Sequence, residues 1–434
     1  MASQILSLRV LPALCILACS LGRSIAANTT TTATSDLISA AYTISATTTS
    51  FSSTTLTATG TDENVILVEE TGAAYLTDVT IIKTGDTTSS DDSSFTTLNA
   101  AIGVETNGTI YMYGCNITTD GLSANGLHTY EDGASAYLYD LYISATGDGS
   151  HGIYTAGGYI YAENLVCSTY DSKGSAIATD KGGGTIVVDT ATVHTYGTQS
   201  ALLYSTGNIT VANMTGASAV APAACIDGSN SFTITDSTIS AGPELHGVFQ
   251  VVSTVSSGTD DEAYVYVTGG SVAETRGTFG LIYVGNINAH IYLSSVEITI
   301  TSGILANASA DSEYGTSGAN QGVAYITLTN EKNITGDVYV DDISTISLSL
   351  LSTTTYSGAI NQDNSAGNAT LYLDSESSWT VTGTSYLQGL VDEDESAGNI
   401  YSGGFTVYYN GSANAWLGNR TVELSGGGSL KPEP

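Results

Sequence analysis

The chain has little positive charge. Its 434 residues include only 9 Lys or Arg against 42 Asp or Glu, a formal net charge of −33. Such a surface repels phosphates and anionic headgroups, which argues against nucleic acid and anionic membranes as partners. We expect no cofactor, although the charge would accept a hard cation such as Ca²⁺. Acid tolerance and solubility are the simpler explanation of the acidity.

Helix-forming residues and proline are also scarce. There are 3 Met and 5 Pro, against 48 Gly and 27 Tyr, and much of the remainder is Ser, Thr, Val and Ile. Strands and turns favour these abundant residues, so the composition predicts an all-β protein. The longest apolar run covers residues 10–21. It is too short for a membrane helix, which needs roughly 18 apolar residues or more.

The two ends of the chain have different compositions. Arg9, the apolar run and the small residues that follow predict a secretory signal peptide over 1–27. We therefore expect a secreted monomer, extracellular or associated with the cell wall. The last residues, 425–434, are polar and predict a flexible tail, without the apolar end that a lipid-anchor signal requires.

The body of the chain repeats an eight-residue frame. Apolar residues stand at positions 0, 2, 5 and 7, and a turn-former stands at position 4, as in Ile160 to Cys167. Position 4 holds short or polar residues that suit a tight corner. The nine members of this corner column are Asp78, Gly114, Asp140, Asn164, Thr190, Asn213, Asp236, Gly269 and Ser295.

A second frame, a small residue followed by an apolar one, lies upstream of most copies of the first. Examples are Gly126-Leu127, Gly152-Ile153 and Ala224-Cys225. The period of 23–26 residues, without helical segments, predicts a right-handed parallel β-helix. We divide the chain into a Ser/Thr-rich N-terminal cap (28–60), regular coils (61–330), and degenerate coils with a C-terminal cap (331–424). A separate small β domain is the alternative for the last part.

At this level the sequence resembles the secreted β-helix proteins of the pectin-lyase-like superfamily, and most closely their adhesin-like members. The resemblance is one of architecture over about residues 60–400. The polygalacturonase motifs Asn-Thr-Asp, Gly-His-Gly and Arg-Ile-Lys are absent, and Ser150-His151-Gly152 is a partial match to the second. The resemblance therefore implies a surface protein more than a pectinase.

The three cysteines after residue 27 are Cys115, Cys167 and Cys225. The frame places all three inside and too far apart for a disulfide, so we expect buried, inert thiols and no disulfide. The scattered histidines predict no metal site. Glycosylation is expected at the sequons Asn28, Asn107, Asn116, Asn208, Asn307, Asn333, Asn368, Asn410 and Asn419. A tenth, Asn213, is expected to be unmodified because its side chain would lie inside the corner.

Tyrosines recur at the outward positions 1 and 3 of the frame. Because successive coils align, they should form a flat, exposed platform that stacks on sugar rings while the hydroxyls hydrogen-bond. A cross-coil ladder that only stabilises the sheet is the alternative. The predicted glycan-binding residues are Tyr75, Tyr111, Tyr113, Tyr137, Tyr139 and Tyr161. The predicted partner is an extracellular polysaccharide or surface glycan.

For catalysis, Glu163 and Asp189 occupy position 3 in successive coils. Their carboxylates could lie about 5 Å apart, as in glycosidases that use two carboxylates. Lys173, Asp180, Lys181 and His194 lie near them in sequence, and a cation beside paired carboxylates suits general acid–base chemistry. A polysaccharide lyase or glycoside hydrolase is thus the enzymatic alternative. A solvated acidic face, in a purely structural coat protein, is the other reading.

Overall fold

The computed structural model describes residues 38–180, 182–254 and 260–433. Over these ranges the chain is a right-handed parallel β-helix of about 16 coils, which confirms the predicted fold class. The predicted signal peptide, Asn28 and Lys181 lie outside the described residues. Within the described ranges, no helix is both long and apolar enough to span a bilayer.

One face of the β-helix, called sheet 1 below, is a parallel sheet of twelve strands. It contains the second, small-then-apolar frame. Its strands are Ser39–Ser45, Glu63–Glu69, Ile102–Val104, Leu127–Tyr130, Ile153–Ala156, Ile177–Thr179, Leu203–Ser205, Ala224–Asp227, Gly247–Val252, Gly280–Gly285, Ile304–Ala308 and Asp337–Val340.

The other two faces carry the eight-residue frame and meet at its position 4. Sheet 2, before the corner, contains Thr48–Ser52, Ala73–Thr77, Thr109–Tyr113, Ser231–Thr235, Glu262–Thr268, Ile287–Ser294, Gly322–Thr329, Thr345–Leu351, Asn368–Leu373 and Gly389–Asp392. Sheet 3, after the corner, contains Thr55–Ala58, Thr80–Thr84, Asn116–Asp120, Thr238–Ala241, Ser271–Glu274 and Glu297–Ile300. Four long strands turn the corner and belong to both: Ser135–Ala145, Tyr159–Thr169, Thr185–Thr195 and Asn208–Ser218.

The coils continue through both predicted caps. Residues 39–58 form three strands that pair parallel with the next coil, so they build a complete first coil. Leu348, Leu371 and Leu390 stay in register, so sheet 2 extends into the region predicted to be degenerate. Two small sheets complete this end: Ile334–Thr335, Thr355–Gly358, Ser378–Val381 and Ile400–Tyr401; and Ser385–Leu387, Thr406–Tyr409, Val422–Glu423 and Ser429–Pro432.

The predicted flexible tail is wrong for its central residues. Ser429–Pro432 pairs parallel with Thr406–Tyr409 and antiparallel with Val422–Glu423. Leu430 is fully buried there, which explains why this short polar segment is ordered. The helical segments of the described chain include α1 (Ser90–Phe95), in the loop after Asp86, and a 3₁₀ turn at Ala415–Leu417.

The core is filled by the inward positions of the frames. The residues at position 0 of the frame are register partners in successive coils, and each of the first five is completely buried. These five are Ala74, Ile110, Ala136, Ile160 and Ile186. Burying a Leu, Ile or Val side chain contributes about 1.5–3 kcal/mol, so the stack is stabilised by a repeated apolar ladder. All nine copies of the frame found in the sequence occupy this one column.

Every residue of the corner column adopts a left-handed backbone conformation, with φ between 46° and 67°. Asp, Asn and Gly tolerate this conformation, which explains their recurrence at position 4. Thr190 is the one β-branched member, at φ 62°, and a β-branched residue is strained there. The corner was found from sequence because its backbone requirement restricts the residue type.

The second frame is displaced by one residue from Ala201 onwards. Ile177 pairs with Leu203 and not Leu202, and Leu203 pairs with Ala224. A one-residue shift reverses which side of a strand each side chain faces. Cys225 was therefore placed wrongly: it lies on the outer side of sheet 1, packed beside Tyr204.

Replacing Thr190 with Asn should raise the thermal unfolding midpoint, because Asn adopts the left-handed conformation at lower cost. We expect a gain of about 1 kcal/mol. The reverse change, Asn164→Thr, places a β-branched residue one coil away at φ 56° and should lower the midpoint. Circular dichroism melts of both variants test this, and shifts of the same sign would contradict it.

Candidate functional site

The predicted tyrosines lie in two adjoining columns on the outer side of sheet 2. Tyr75, Tyr111, Tyr137 and Tyr161 are register partners in four successive coils, and Tyr113 pairs with Tyr139 in the second column. Tyr75 and Tyr113 are 42% and 44% exposed. We call these six residues the tyrosine face.

The rings of the tyrosine face stack on one another. In three pairs the ring centroids are 5.0 Å apart and the rings are nearly parallel. The interplanar angles are 6° for Tyr75–Tyr111, 11° for Tyr111–Tyr137 and 5° for Tyr113–Tyr139. Ring faces therefore cover one another and are not presented as a flat surface. This differs from the expected platform of ring faces, because sequence spacing does not specify side-chain rotation.

The stacking changes at one end of the face. Tyr161 is tilted by 54° from Tyr139, and Tyr159 by 53° from Tyr137, at centroid distances of 5.9 and 6.0 Å. Tilted rings leave part of their faces uncovered, so sugar stacking is sterically easiest here. Tyr159 was missed from sequence because it stands one residue before the frame begins.

Two of the long loops pack on the outer side of sheet 1. In the loop after Asp86, the carbonyl of Ser94 accepts a hydrogen bond of 2.9 Å from Tyr154, on the outer side of sheet 1. In the loop after Asn307, the Tyr314 hydroxyl accepts one of 2.9 Å from Gln250, on the same side. Both loops thus pack on a different face of the β-helix from the tyrosines of sheet 2.

Glu163 and Asp189 are register partners on neighbouring coils at the edge of the tyrosine face. The Tyr161 hydroxyl donates to Glu163 Oε2 at 3.3 Å, and Asn213 Nδ2 donates to Asp189 Oδ1 at 2.9 Å. Burial and the Glu163 carboxylate raise the pKa of Tyr161, which keeps its hydroxyl protonated as a donor. Glu163 and Asp189 therefore stand on adjacent strands, and each carboxylate accepts a hydrogen bond from an uncharged side chain.

The remaining groups considered for acid–base chemistry lie elsewhere. Lys173 and Asp180 line a cleft of about 170 Å³ on sheet 1, together with Asp148, His151 and Tyr204. His194 stands after the corner, in the half of Thr185–Thr195 that belongs to sheet 3, and pairs in register with Ser168. The structure therefore separates Lys173 and Asp180 from the two carboxylates that they were expected to assist.

This cleft was not predicted, because its walls come from loops of different coils. His151 Nδ1 lies 3.0 Å from the backbone nitrogen of Ser175, which donates to it. The His151 ring also stacks on Tyr154 at 4.6 Å, and burial lowers the pKa of His151 to about 4. Ser150-His151-Gly152 was the one sequence signal here, since it places a histidine where the chain enters sheet 1.

The structure shows which cysteines are buried and which sequon asparagines are exposed. Cys115, Cys167 and Cys225 are buried and form no disulfide in the part of the chain that the structure describes. Burial raises the pKa of Cys115, and that of Cys167 to about 12, so neither thiol readily ionises. Exposed predicted sequons are Asn107, Asn116, Asn208, Asn333 and Asn419; Asn307, Asn368 and Asn410 are half-buried.

The reasoning on Asn213 was wrong in its geometry. The side chain is exposed and bonds Asp189, not enclosed by the corner. Across the described ranges, no group of three or more His, Cys, Asp or Glu side chains is placed to hold a metal ion.

No protein-family model matches the chain, and a search of the curated proteins found no match.

The neighbourhood of the cleft contains a buried histidine with a testable effect on stability. His128 is fully buried, stands edge-on to Tyr154 at 4.5 Å, and neither ring nitrogen has a hydrogen-bond partner among the described residues. Burial lowers its pKa to about 3. The unfolded chain would take up this proton near pH 6.5, so the folded state loses stability as the pH falls from about 6.5 towards 3.

Replacing His128 with Phe should remove this acid sensitivity. The unfolding midpoint of the variant should fall less than that of the unmodified chain between pH 7 and pH 4. At about 1.36 kcal/mol per pKa unit the upper limit is on the order of 4 kcal/mol. Melting curves across this range measure it, and an equal fall in both proteins would refute the assignment.

Proposed function

We propose that this chain is a secreted, non-catalytic β-helix protein of the cell surface or wall that binds glycans through the tyrosine face. The observation that carries the proposal is the two-column array of stacked tyrosines on the outer side of sheet 2. Contiguous aromatic surface often marks a binding site, and in this array Tyr75 and Tyr113 are exposed while the other four rings are half-buried. The loops after Asp86 and Asn307 pack on sheet 1, a different face of the β-helix.

The stacked rings suggest how such a glycan would be held. The ring centroids repeat every 5.0 Å along the columns, so a polymer with regularly spaced hydroxyls would meet one tyrosine hydroxyl, both a donor and an acceptor, at each coil. Burial and neighbouring tyrosines raise the pKa of Tyr111, so this hydroxyl stays protonated. The tilted rings of Tyr159 and Tyr161 would contact a sugar face at one end.

The negative charge of the protein argues against acidic glycans as ligands. With a net charge of −33, and with Glu163 and Asp189 beside the face, the protein would repel polyuronates such as pectate. Neutral or amino sugars fit better. This agrees with the absence of pectinase motifs from a sequence that resembles the pectin-lyase-like β-helices only in architecture.

A purely structural role, as in a coat protein, is the second candidate, and the stacking itself favours it. Face-to-face ladders of identical residues stabilise neighbouring strands without any ligand. The two candidates differ in what a tyrosine substitution changes: ligand affinity under the first, thermal stability alone under the second.

Changing Tyr111, Tyr137 and Tyr161 together to Ser should abolish most binding on a glycan array, because the hydroxyl row and the tilted ring are lost. Tyr266→Ser with Tyr292→Ser is the matched control, since this pair stacks at 5.0 Å on the same sheet, outside the face. Melting curves show whether both variants fold. Unchanged binding by a folded triple variant would make the face structural.

The enzymatic alternative has a separate test. Incubation of the purified protein with a panel of polysaccharides, followed by product analysis, should give no more product than the Glu163→Gln variant gives. Glu163→Gln keeps the size of the side chain and removes its charge. Product that the unmodified protein forms and this variant does not would replace the binding proposal with catalysis at Glu163 and Asp189.

A further inference from the structure

Among the stacked tyrosine pairs of the described residues that lie outside the tyrosine face, two have both rings exposed to solvent. Tyr170 and Tyr196 have centroids 5.0 Å apart at 10°, and are 45% and 49% exposed. Tyr266 and Tyr292 have centroids 5.0 Å apart at 5°, and are 40% and 37% exposed. Neither pair belongs to the tyrosine face.

The backbone holds the members of each pair one coil apart. Tyr266 and Tyr292 are register partners in sheet 2. The backbone nitrogen of Tyr170 donates to Ala145 of the preceding coil, and that of Tyr196 donates to Thr169, each at 3.0 Å. The ring spacing is thus close to the roughly 4.8 Å between hydrogen-bonded strands. Two phenols held this way react as an intramolecular pair with a high effective concentration.

We propose that Tyr170–Tyr196 and Tyr266–Tyr292 are sites of oxidative cross-linking, in which neighbouring coils are joined by dityrosine. The oxidant is hydrogen peroxide, used by a haem peroxidase. Each phenol loses one electron and one proton to give a phenoxyl radical. The two radicals form a carbon–carbon bond between the ring positions ortho to the hydroxyls.

The hydrogen on each coupled carbon then moves to the oxygen, which restores both phenols. The pair has lost two electrons and two protons in total, and these reduce one hydrogen peroxide to two water molecules. No atom leaves either side chain except hydrogen. Coupling requires the two stacked rings, whose centroids are 5.0 Å apart, to turn so that their ortho carbons meet edge to edge.

Such links would join neighbouring coils covalently, which the cysteines do not do in the described ranges. The three cysteines are buried and form no disulfide within the described ranges, so the described coils are joined across the stack by non-covalent contacts alone. A covalent bond between adjacent coils closes a loop in the unfolded chain, which stabilises the fold as a disulfide does. The inference does not depend on glycan binding, since the two sets of tyrosines are separate.

The test is oxidation of the full chain by horseradish peroxidase with hydrogen peroxide, followed by dityrosine fluorescence and peptide mapping. We expect linked peptides containing Tyr170 with Tyr196 and Tyr266 with Tyr292, each two hydrogen atoms lighter than its parts. The yield should not change on dilution, and the unfolding midpoint should rise. Tyr196→Phe should abolish the first link only.

Tyr142 is the matched control, because it is 44% exposed and stacks on no other tyrosine among the described residues. It should form no link within the chain, and Tyr142→Phe should leave the dityrosine yield unchanged. Links that involve Tyr142 as often as the pairs would overturn the proposal. So would a yield that falls on dilution, which indicates coupling between molecules, or the absence of dityrosine.

Discussion

Parallel pairing of each coil with the next, in a register that is kept along the stack, is the constraint on which the rest of this structure depends. Because each strand bonds the equivalent strand of the next coil, residues at the same position stand directly above one another. The buried column from Ala74 to Ile186 and the tyrosine columns both follow from this repetition. A property of one coil therefore becomes a property of a whole face.

The same repetition explains why binding and stability are difficult to separate here. A column of tyrosines stabilises the sheet by stacking and also presents a row of hydroxyls to solvent. Stacked ring faces cover one another, so the surface is not a flat platform of aromatic planes. At Tyr159 and Tyr161 the rings are tilted instead of stacked, so part of each ring face stays uncovered.

Sheet 1 has a different environment. The loop after Asp86 packs on its outer side against Tyr154 and lines the cleft that holds Lys173, Asp180 and His151. The loop after Asn307 packs on the same side further along, against Gln250. Sheets 1 and 2 thus carry different kinds of functional side chain on their outer sides. The outer side of sheet 2 carries regularly spaced tyrosines with Glu163 and Asp189 at their edge, while the covered side of sheet 1 holds His128 and His151, whose pKa values burial lowers.

The coil, its period, most of its inward residues and the corner could be predicted from the sequence alone, because they are local requirements on polarity and backbone conformation that recur in every repeat. The sequence could not determine what contacts between distant loops decide. The displaced register that turns Cys225 outward, the rotation of the tyrosine rings, the ordering of Ser429–Pro432 and the cleft around His151 all depend on the packing of one coil or loop against another. Such packing depends on side-chain volumes and on insertions of irregular length, which leave no periodic signal in the chain.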